Sequence, residues 1–242
     1  MHFPQTTNPS LVVFCDFDGT IAQKDVGDAV FRHFDVFEPY NSELLAGKIT
    51  VKEYYLRAIA AAHNFTPSSI AELSKSFELD AYFPQFYNFC KHRNIPLTIL
   101  SDGFLEYIYP MLHKVGINGA NVFSNYLLVQ NSEVLPIFPR ASENCRCFCA
   151  SCKRNTMLSS SPSDSIFVYI GDGLSDVCAA SHADIIFAKH KLAAFCNEQR
   201  IPHYPFHTFF DVLRIMEKIV DSPRIRTRRQ AELQRKKSIE IE

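Results

Sequence analysis

Tryptophan is absent from the 242 residues, and so is any apolar run near the roughly 18 residues that a membrane-spanning helix needs. Net charge is almost absent as well. A formal value of -1 gives no global pull toward nucleic acid or an anionic membrane, so neither is expected as a partner. The first ten residues carry no Lys or Arg, and the apolar run that follows them, Leu11 to Cys15, is too short for a signal-peptide core. A soluble cytoplasmic protein is the expectation. A secreted cysteine framework is missing too. Of eight Cys, four are scattered (Cys15, Cys90, Cys178 and Cys196), and the other four crowd into residues 145–152. In a cytoplasmic enzyme such crowding points to metal or redox chemistry before structural disulfides. What is present is ordinary globular composition, 47% hydrophobic and 21% charged, with 21 Phe among the aromatics. The length allows one large domain, or a core domain with a small insert.

Leu11 to Cys15 is a continuous apolar run that ends at Asp16, and it reads as a buried strand. Pro96 to Leu100 is a second, ending at Ser101-Asp102-Gly103. Ile166 to Ile170 is a third, ending at Gly171-Asp172-Gly173, and Asp184 to Ala188 is a fourth. Helical periods lie between them at Tyr82 to Arg93, Phe104 to Val115 and Ser175 to His182. Strands alternating with helices predict parallel βαβ units and a doubly wound α/β sheet, a Rossmann-like core. Residues 122–138 break the pattern and read as a hairpin turning at Gln130-Asn131-Ser132. Residues 21–80 show helical periods at Ala29 to Phe37, Val51 to Ala62 and Ser68 to Phe77, with no clear strand. The division expected is therefore a core of 1–20 and 81–221, a helical cap of 21–80, and a charged tail of 222–242. The tail holds seven Lys or Arg and three Glu, and it is expected to be a solvated, partly helical end.

The polar groups at three strand ends carry the chemistry: Asp16-Phe17-Asp18-Gly19-Thr20, Ser101-Asp102-Gly103, and Gly171-Asp172-Gly173-Leu174-Ser175-Asp176. Ligands of open α/β sheets bind beyond the carboxyl ends of the strands. If these three strands are neighbours, five carboxylates share one crevice. Like-charge repulsion makes that unstable without a cation, and oxygen-only donors favour a hard ion such as Mg²⁺. An extended backbone projects Asp16 and Asp18 to the same side, about 7 Å apart at their Cα atoms. A phosphorus between them can be attacked by one carboxylate while the other protonates the departing alkoxide. Gly19 permits the sharp turn, Ser101 and backbone N–H groups can hold phosphate oxygens, and Lys153 can balance the charge of the transferring group. Each motif alone is ordinary loop chemistry, but the ordered set is not.

On these residues the chain resembles the haloacid dehalogenase-like superfamily of phosphohydrolases. DFDGT at 16–20, Ser101, Lys153, and Gly171-Asp172 with Asp176 match its four motifs. The resemblance implies Asp16 as nucleophile and Asp18 as general acid and base. It implies Mg²⁺ held by Asp16, Asp172 and the Asp18 carbonyl, with Asp176 as a direct or outer ligand. An acid at Asp18 favours phosphate ester cleavage over dehalogenation. The helical insert is similar to that of the phosphoserine phosphatase branch. Within that branch, Asp25 and the stretch Cys149-Ala150-Ser151-Cys152-Lys153 look closer to the methionine-salvage phosphatases. Phosphocholine and phosphoethanolamine phosphatases share a version of that stretch.

The reading is thus a Mg²⁺-dependent phosphomonoesterase acting on a small-molecule phosphate ester, with a phosphomutase or a non-catalytic binding module as rivals. Asp102 and Gly103 join Ser101 as expected substrate contacts. Asp25 and Arg57 are the expected specificity residues, and Arg57 shares a predicted cap helix with His63. For Cys145 to Cys152, a structural metal, a disulfide and free thiols all remain open; a metal or disulfide there would clamp the loop that ends at Lys153.

Overall fold

The computed structural model describes residues 10–142, 149–162 and 164–241. β1 (Leu11–Asp16) runs through the middle of a seven-stranded sheet of order β4-β3-β2-β1-β5-β6-β7. Its neighbours are β2 (Leu97–Phe104) and β5 (Ile166–Gly171), both parallel to it. β6 (Ile185–Ala188) and the short β7 (Tyr204–Pro205) extend one side. β3 (Asn121–Gln130) runs parallel to β2 and then turns back as β4 (Glu133–Ile137). The expected hairpin is there, and β3 also belongs to the parallel sheet. The doubly wound α/β architecture is thus observed.

The alternation of side chains explains why both faces are covered. Val13 and Cys15 point into one apolar cluster, and Val12 and Phe14 into another. On β5, Val168 and Ile170 join the first while Phe167 and Tyr169 join the second. A central strand buried on both faces reads as an unbroken apolar run, which is how β1 and β5 appear in the sequence. α5 (Phe83–His92), α6 (Leu105–Lys114), α7 (Lys153–Ser159), α8 (Val177–Ser181), α9 (His190–Glu198) and α10 (Phe209–Val220) connect and cover the core strands.

Between β1 and β2 the chain forms α1 (Val26–His33), α2 (Tyr40–Leu45), α3 (Val51–Ala61) and α4 (Pro67–Ser74). Thr50 and Thr66 open α3 and α4 with reciprocal capping boxes. α1 starts three residues before the expected Ala29, because the Asp25 side chain accepts the Asp28 N–H at 2.8 Å and fixes the helix start there. An isolated bridge from Ala22 to Leu79 closes the base of the insert. Its apolar face, including Val30, Phe31 and Ile59, belongs to the same cluster as Val13 and Ile99.

The tail is partly helical, as expected, and most of it is exposed, but it is not wholly solvated: α11 (Arg229–Ile241) buries Ala231 and Arg235. The reason is Asp184, whose carboxylate is enclosed. It accepts Arg235 Nη1 at 3.0 Å and Nη2 at 3.3 Å, together with the Phe167 N–H at 3.0 Å. Arg235 also lies over the Phe167 ring, 4.9 Å from its centroid. Among the described residues, no helix is long and apolar enough to cross a membrane.

Candidate active site

β1, β2 and β5 are adjacent, so their carboxyl ends bring the three motifs to one place. Asp16 ends β1 beside Leu100, and β2 then loses its register between Leu100 and Phe104. That bulge holds Ser101, Asp102 and Gly103 and aims their side chains independently of the ladder. Gly19 turns the chain after Asp18 at φ +70, and a Cβ there would meet Asp172 Oδ2 at 2.7 Å. Glycine is therefore needed both for the turn and for the close approach of two motifs.

Lys153, the first residue of α7, lies at the centre. Its Nζ donates to Asp16 Oδ1 at 2.6 Å, to Asp176 Oδ1 at 2.7 Å and to Ser175 Oγ at 3.1 Å. Burial alone would lower the ammonium, but Asp16 and Asp176 outweigh it and hold it well above its usual range. Asp16 is pushed up, first by burial and then by Asp176, against the pull of Lys153. Asp176 is saturated. Tyr169 donates to its Oδ1 at 2.6 Å, and the N–H groups of Asp172 and Gly173 to its Oδ2, both at 2.9 Å. Thr20 Oγ1 donates to Asp172 Oδ1 at 3.0 Å.

Asp16, Asp172 and Asp176 each offer an oxygen within 4.8 Å of the others. One ammonium cannot neutralise three carboxylates, and after burial the charges of Asp176 and Asp172 add to the rise at Asp16. The donor set is all oxygen, so a hard divalent cation fits it. Since Asp176 already has four donors, Asp16 and Asp172 are the carboxylates with capacity to spare.

Asp18 is held differently. Its Oδ1 accepts the N–H groups of Val26 at 3.0 Å and Gly27 at 3.3 Å, where α1 begins. Its Oδ2 accepts Ser101 Oγ at 3.0 Å and Tyr107 OH at 2.8 Å. Burial and then the charge of Asp25 raise its carboxyl to about 7, despite the Tyr107, Ser101 and Gly27 hydrogen bonds that pull it down. A carboxyl near 7 can give and take a proton at neutral pH.

Several expected contacts are placed differently. Ser101 is fully buried. Its hydroxyl donates to Asp18 and accepts the Gly103 N–H at 2.9 Å, so it holds the acid rather than standing open in the crevice. Asp102 lines the cavity, but its Oδ1 accepts the N–H groups of Ala150 at 3.0 Å and Ser151 at 2.6 Å. Arg57 does not line the cavity; it lies on the outer surface, half exposed, and pairs with Glu43 at 3.2 Å. His63 is exposed just beyond α3 and does not line it either. Asp25 does line it, at the start of α1. Tyr107 was not anticipated, since a tyrosine on an amphipathic helix reads as core. Nothing in the sequence marks it; in the structure, a Cβ on Gly103, four residues earlier, would lie 1.4 Å from the Tyr107 hydroxyl. Cys145 and Cys147 lie outside the described residues.

The open volume over Asp16 is about 540 Å³. The core supplies its acidic floor, and α1, α2 and α3 supply Asp28, Phe31, Leu44, Val51, Tyr54 and Tyr55.

A doubly wound sheet with these motifs at the ends of three adjacent strands defines a phosphatase of the haloacid dehalogenase-like class, a hydrolase of phosphate monoesters. More particularly, a family model described as "Putative Phosphatase" matches residues 10–199, and the chain belongs to that family. It is 32% identical over 217 residues to the 2-hydroxy-3-keto-5-methylthiopentenyl-1-phosphate phosphatase of Geobacillus kaustophilus, covering 86% of this chain and 96% of that one. The enzyme of the same name from Brevibacillus brevis is 30% identical, with the same coverage. Among solved structures, phosphoserine phosphatase with a phospho-aspartyl intermediate analogue superimposes with a TM-score of 0.63 at 15% identity, over 86% of this chain and 99% of that one. A substrate-bound phosphoserine phosphatase gives 0.64 at 16% identity, over 87% of this chain and 99% of that one. At such identities the likeness establishes the fold.

Proposed function

We propose that the chain hydrolyses a small-metabolite phosphate monoester in two steps through an aspartyl-phosphate on Asp16. The observation that carries this reading is the pairing of Lys153 with Asp16 at 2.6 Å beside a second carboxyl, Asp18, raised to about 7. An Asp16 carboxylate oxygen forms a bond to phosphorus as the bond to the leaving oxygen breaks. Asp18 gives its proton to that oxygen. Water then attacks the phosphorus of the acyl phosphate, Asp18 takes the proton, and Asp16 is regenerated. Lys153 balances charge on the transferring group. Mg²⁺ held by Asp16, Asp172 and the Asp18 carbonyl would supply further charge neutralisation. Asp176 keeps Lys153 and the turn after β5 in place.

The segment 21–80 acts as a cap, excluding water and selecting the leaving group. The apolar residues it sets over the site suit a short, partly apolar leaving group. The names of the relatives favour the ester of a methylthio-substituted hydroxy ketone. They also favour hydrolysis over the phosphomutase alternative. The test is a screen of small phosphate esters, that ester among them, with released phosphate as readout. Activity should be lost with EDTA, restored by Mg²⁺, and lost in Asp16→Asn.

A further inference from the structure

The cap contributes one polar group that neither the fold nor the phosphoryl chemistry employs. Tyr54 lies on α3 one turn after Val51, and only 4% of it is exposed. Its ring packs edge-on to Phe31, with centroids 5.2 Å apart, and tilted against Tyr55 at 5.5 Å. Two aromatic neighbours thus fix its direction. The residue lines the cavity over Asp16, yet its hydroxyl oxygen is buried and has no hydrogen-bond partner among the described residues.

Buried tyrosine hydroxyls usually find a partner, and leaving one without costs about 1–3 kcal/mol. A phenylalanine would fill the same space against Phe31 and Tyr55 without that cost. Only the hydroxyl distinguishes the two, and it belongs to a residue that lines the cavity. Burial, then the charges of Asp28 and Asp25, push the hydroxyl up from its ordinary value, which keeps it a donor at neutral pH.

We infer that Tyr54 is a specificity-determining residue that donates a hydrogen bond to an oxygen on the leaving group, so that the preferred substrates are phosphate esters of short-chain alcohols bearing a further hydroxyl or carbonyl. This rests on the reading of the cavity as the ester site. Asp28, on the same wall, can accept the proton of a substrate hydroxyl. An unsubstituted alkyl chain fits the apolar wall but leaves the Tyr54 donor unpaired. Sites built to hydrogen-bond a substrate group discriminate against analogues that lack it far more strongly than apolar pockets discriminate by size.

The experiment compares wild type with Tyr54→Phe on two sets of esters, n-propyl and n-butyl phosphate against glycerol 1-phosphate and dihydroxyacetone phosphate. Wild type should favour the oxygenated set. Tyr54→Phe should lower kcat/KM on that set by about tenfold, the equivalent of one lost hydrogen bond, and leave the alkyl set within about twofold. Its Tm should be unchanged or higher, because an unpaired buried hydroxyl has gone. An equal change on both sets, no change on either, or a fall in Tm of several degrees would overturn the assignment. Asp16→Asn is the control for the underlying reading. If wild type releases no phosphate from any ester, or Asp16→Asn releases it equally fast, that reading fails and takes the Tyr54 assignment with it. If the controls hold and only the Tyr54 comparison fails, the reading stands and this role is lost.

Discussion

Asp18 carries the largest consequence at the scale of single residues. It must be protonated to release a poor leaving group, and its carboxyl is raised to about 7. The protonated fraction is nearly full below that value and falls tenfold per pH unit well above it. With an alkyl phosphate, kcat/KM should therefore be highest below about pH 7 and decline above it. p-Nitrophenyl phosphate, whose leaving group needs no proton, should decline less. Parallel profiles for the two esters would remove Asp18 from the acid role. Asp18→Asn should slow the alkyl ester on the order of a hundredfold or more. Tyr107 and Gly103 belong to the same assembly. Gly103→Ala would place a methyl 1.4 Å from the Tyr107 hydroxyl, displacing a donor to Asp18. The expected result is a larger loss of kcat on alkyl esters than on p-nitrophenyl phosphate, measured on protein that still melts cooperatively. The motifs at Asp16, Ser101 and Asp172 were legible because each follows an apolar strand. Tyr107 was not, because its partner is 89 positions away in sequence and no local pattern marks the contact.

Among the elements, the loop before α7 decides where Lys153 stands. The sequence suggested that its cysteines clamp it. The structure shows another holdfast: Asp102 on β2 accepts the N–H groups of Ala150 and Ser151, and the Cys152 N–H reaches the Arg140 carbonyl at 2.8 Å. Placement of a charge matters because an error near 1 Å can cost about a hundredfold in rate. Asp102→Ala should lower kcat by roughly tenfold or more. Asp102→Asn keeps an acceptor oxygen and should retain most of it. If both variants lose kcat equally and the loss is largest for particular substrates, Asp102 acts on the ester instead. The boundaries of α1 show the same limit of local reading. Apolar periodicity suggested a start near Ala29, whereas the Asp25 cap sets it earlier. Asp25 was expected to choose the substrate, and at the start of α1 it both caps the helix and faces the cavity.

At the scale of the whole molecule, the parallel sheet was legible from its apolar runs, and the convergence of three motifs follows from β1 lying between β2 and β5. The docking of the tail was not legible. Seven basic residues in a short charged segment read as solvent-facing, and the carboxylate that holds two of them, Asp184, lies just before β6, more than 40 positions earlier in the chain. Arg235→Ala would leave that carboxylate buried with a reduced shell, at a cost of about 3–5 kcal/mol. The measurement is urea unfolding. A midpoint shift within error would show that α11 merely rests on the surface.

The central claim is that Asp16 becomes phosphorylated during turnover, and acid-quenched enzyme tests it most directly. Asp18→Asn, which is expected to accumulate the intermediate by slowing its hydrolysis, is mixed with p-nitrophenyl phosphate and Mg²⁺, quenched, digested and weighed by mass spectrometry. The account predicts one added phosphoryl group on the peptide containing Asp16, and none after Asp16→Asn. Phosphate release by Asp16→Asn at the wild-type rate, with no phosphorylated peptide in either protein, would contradict it.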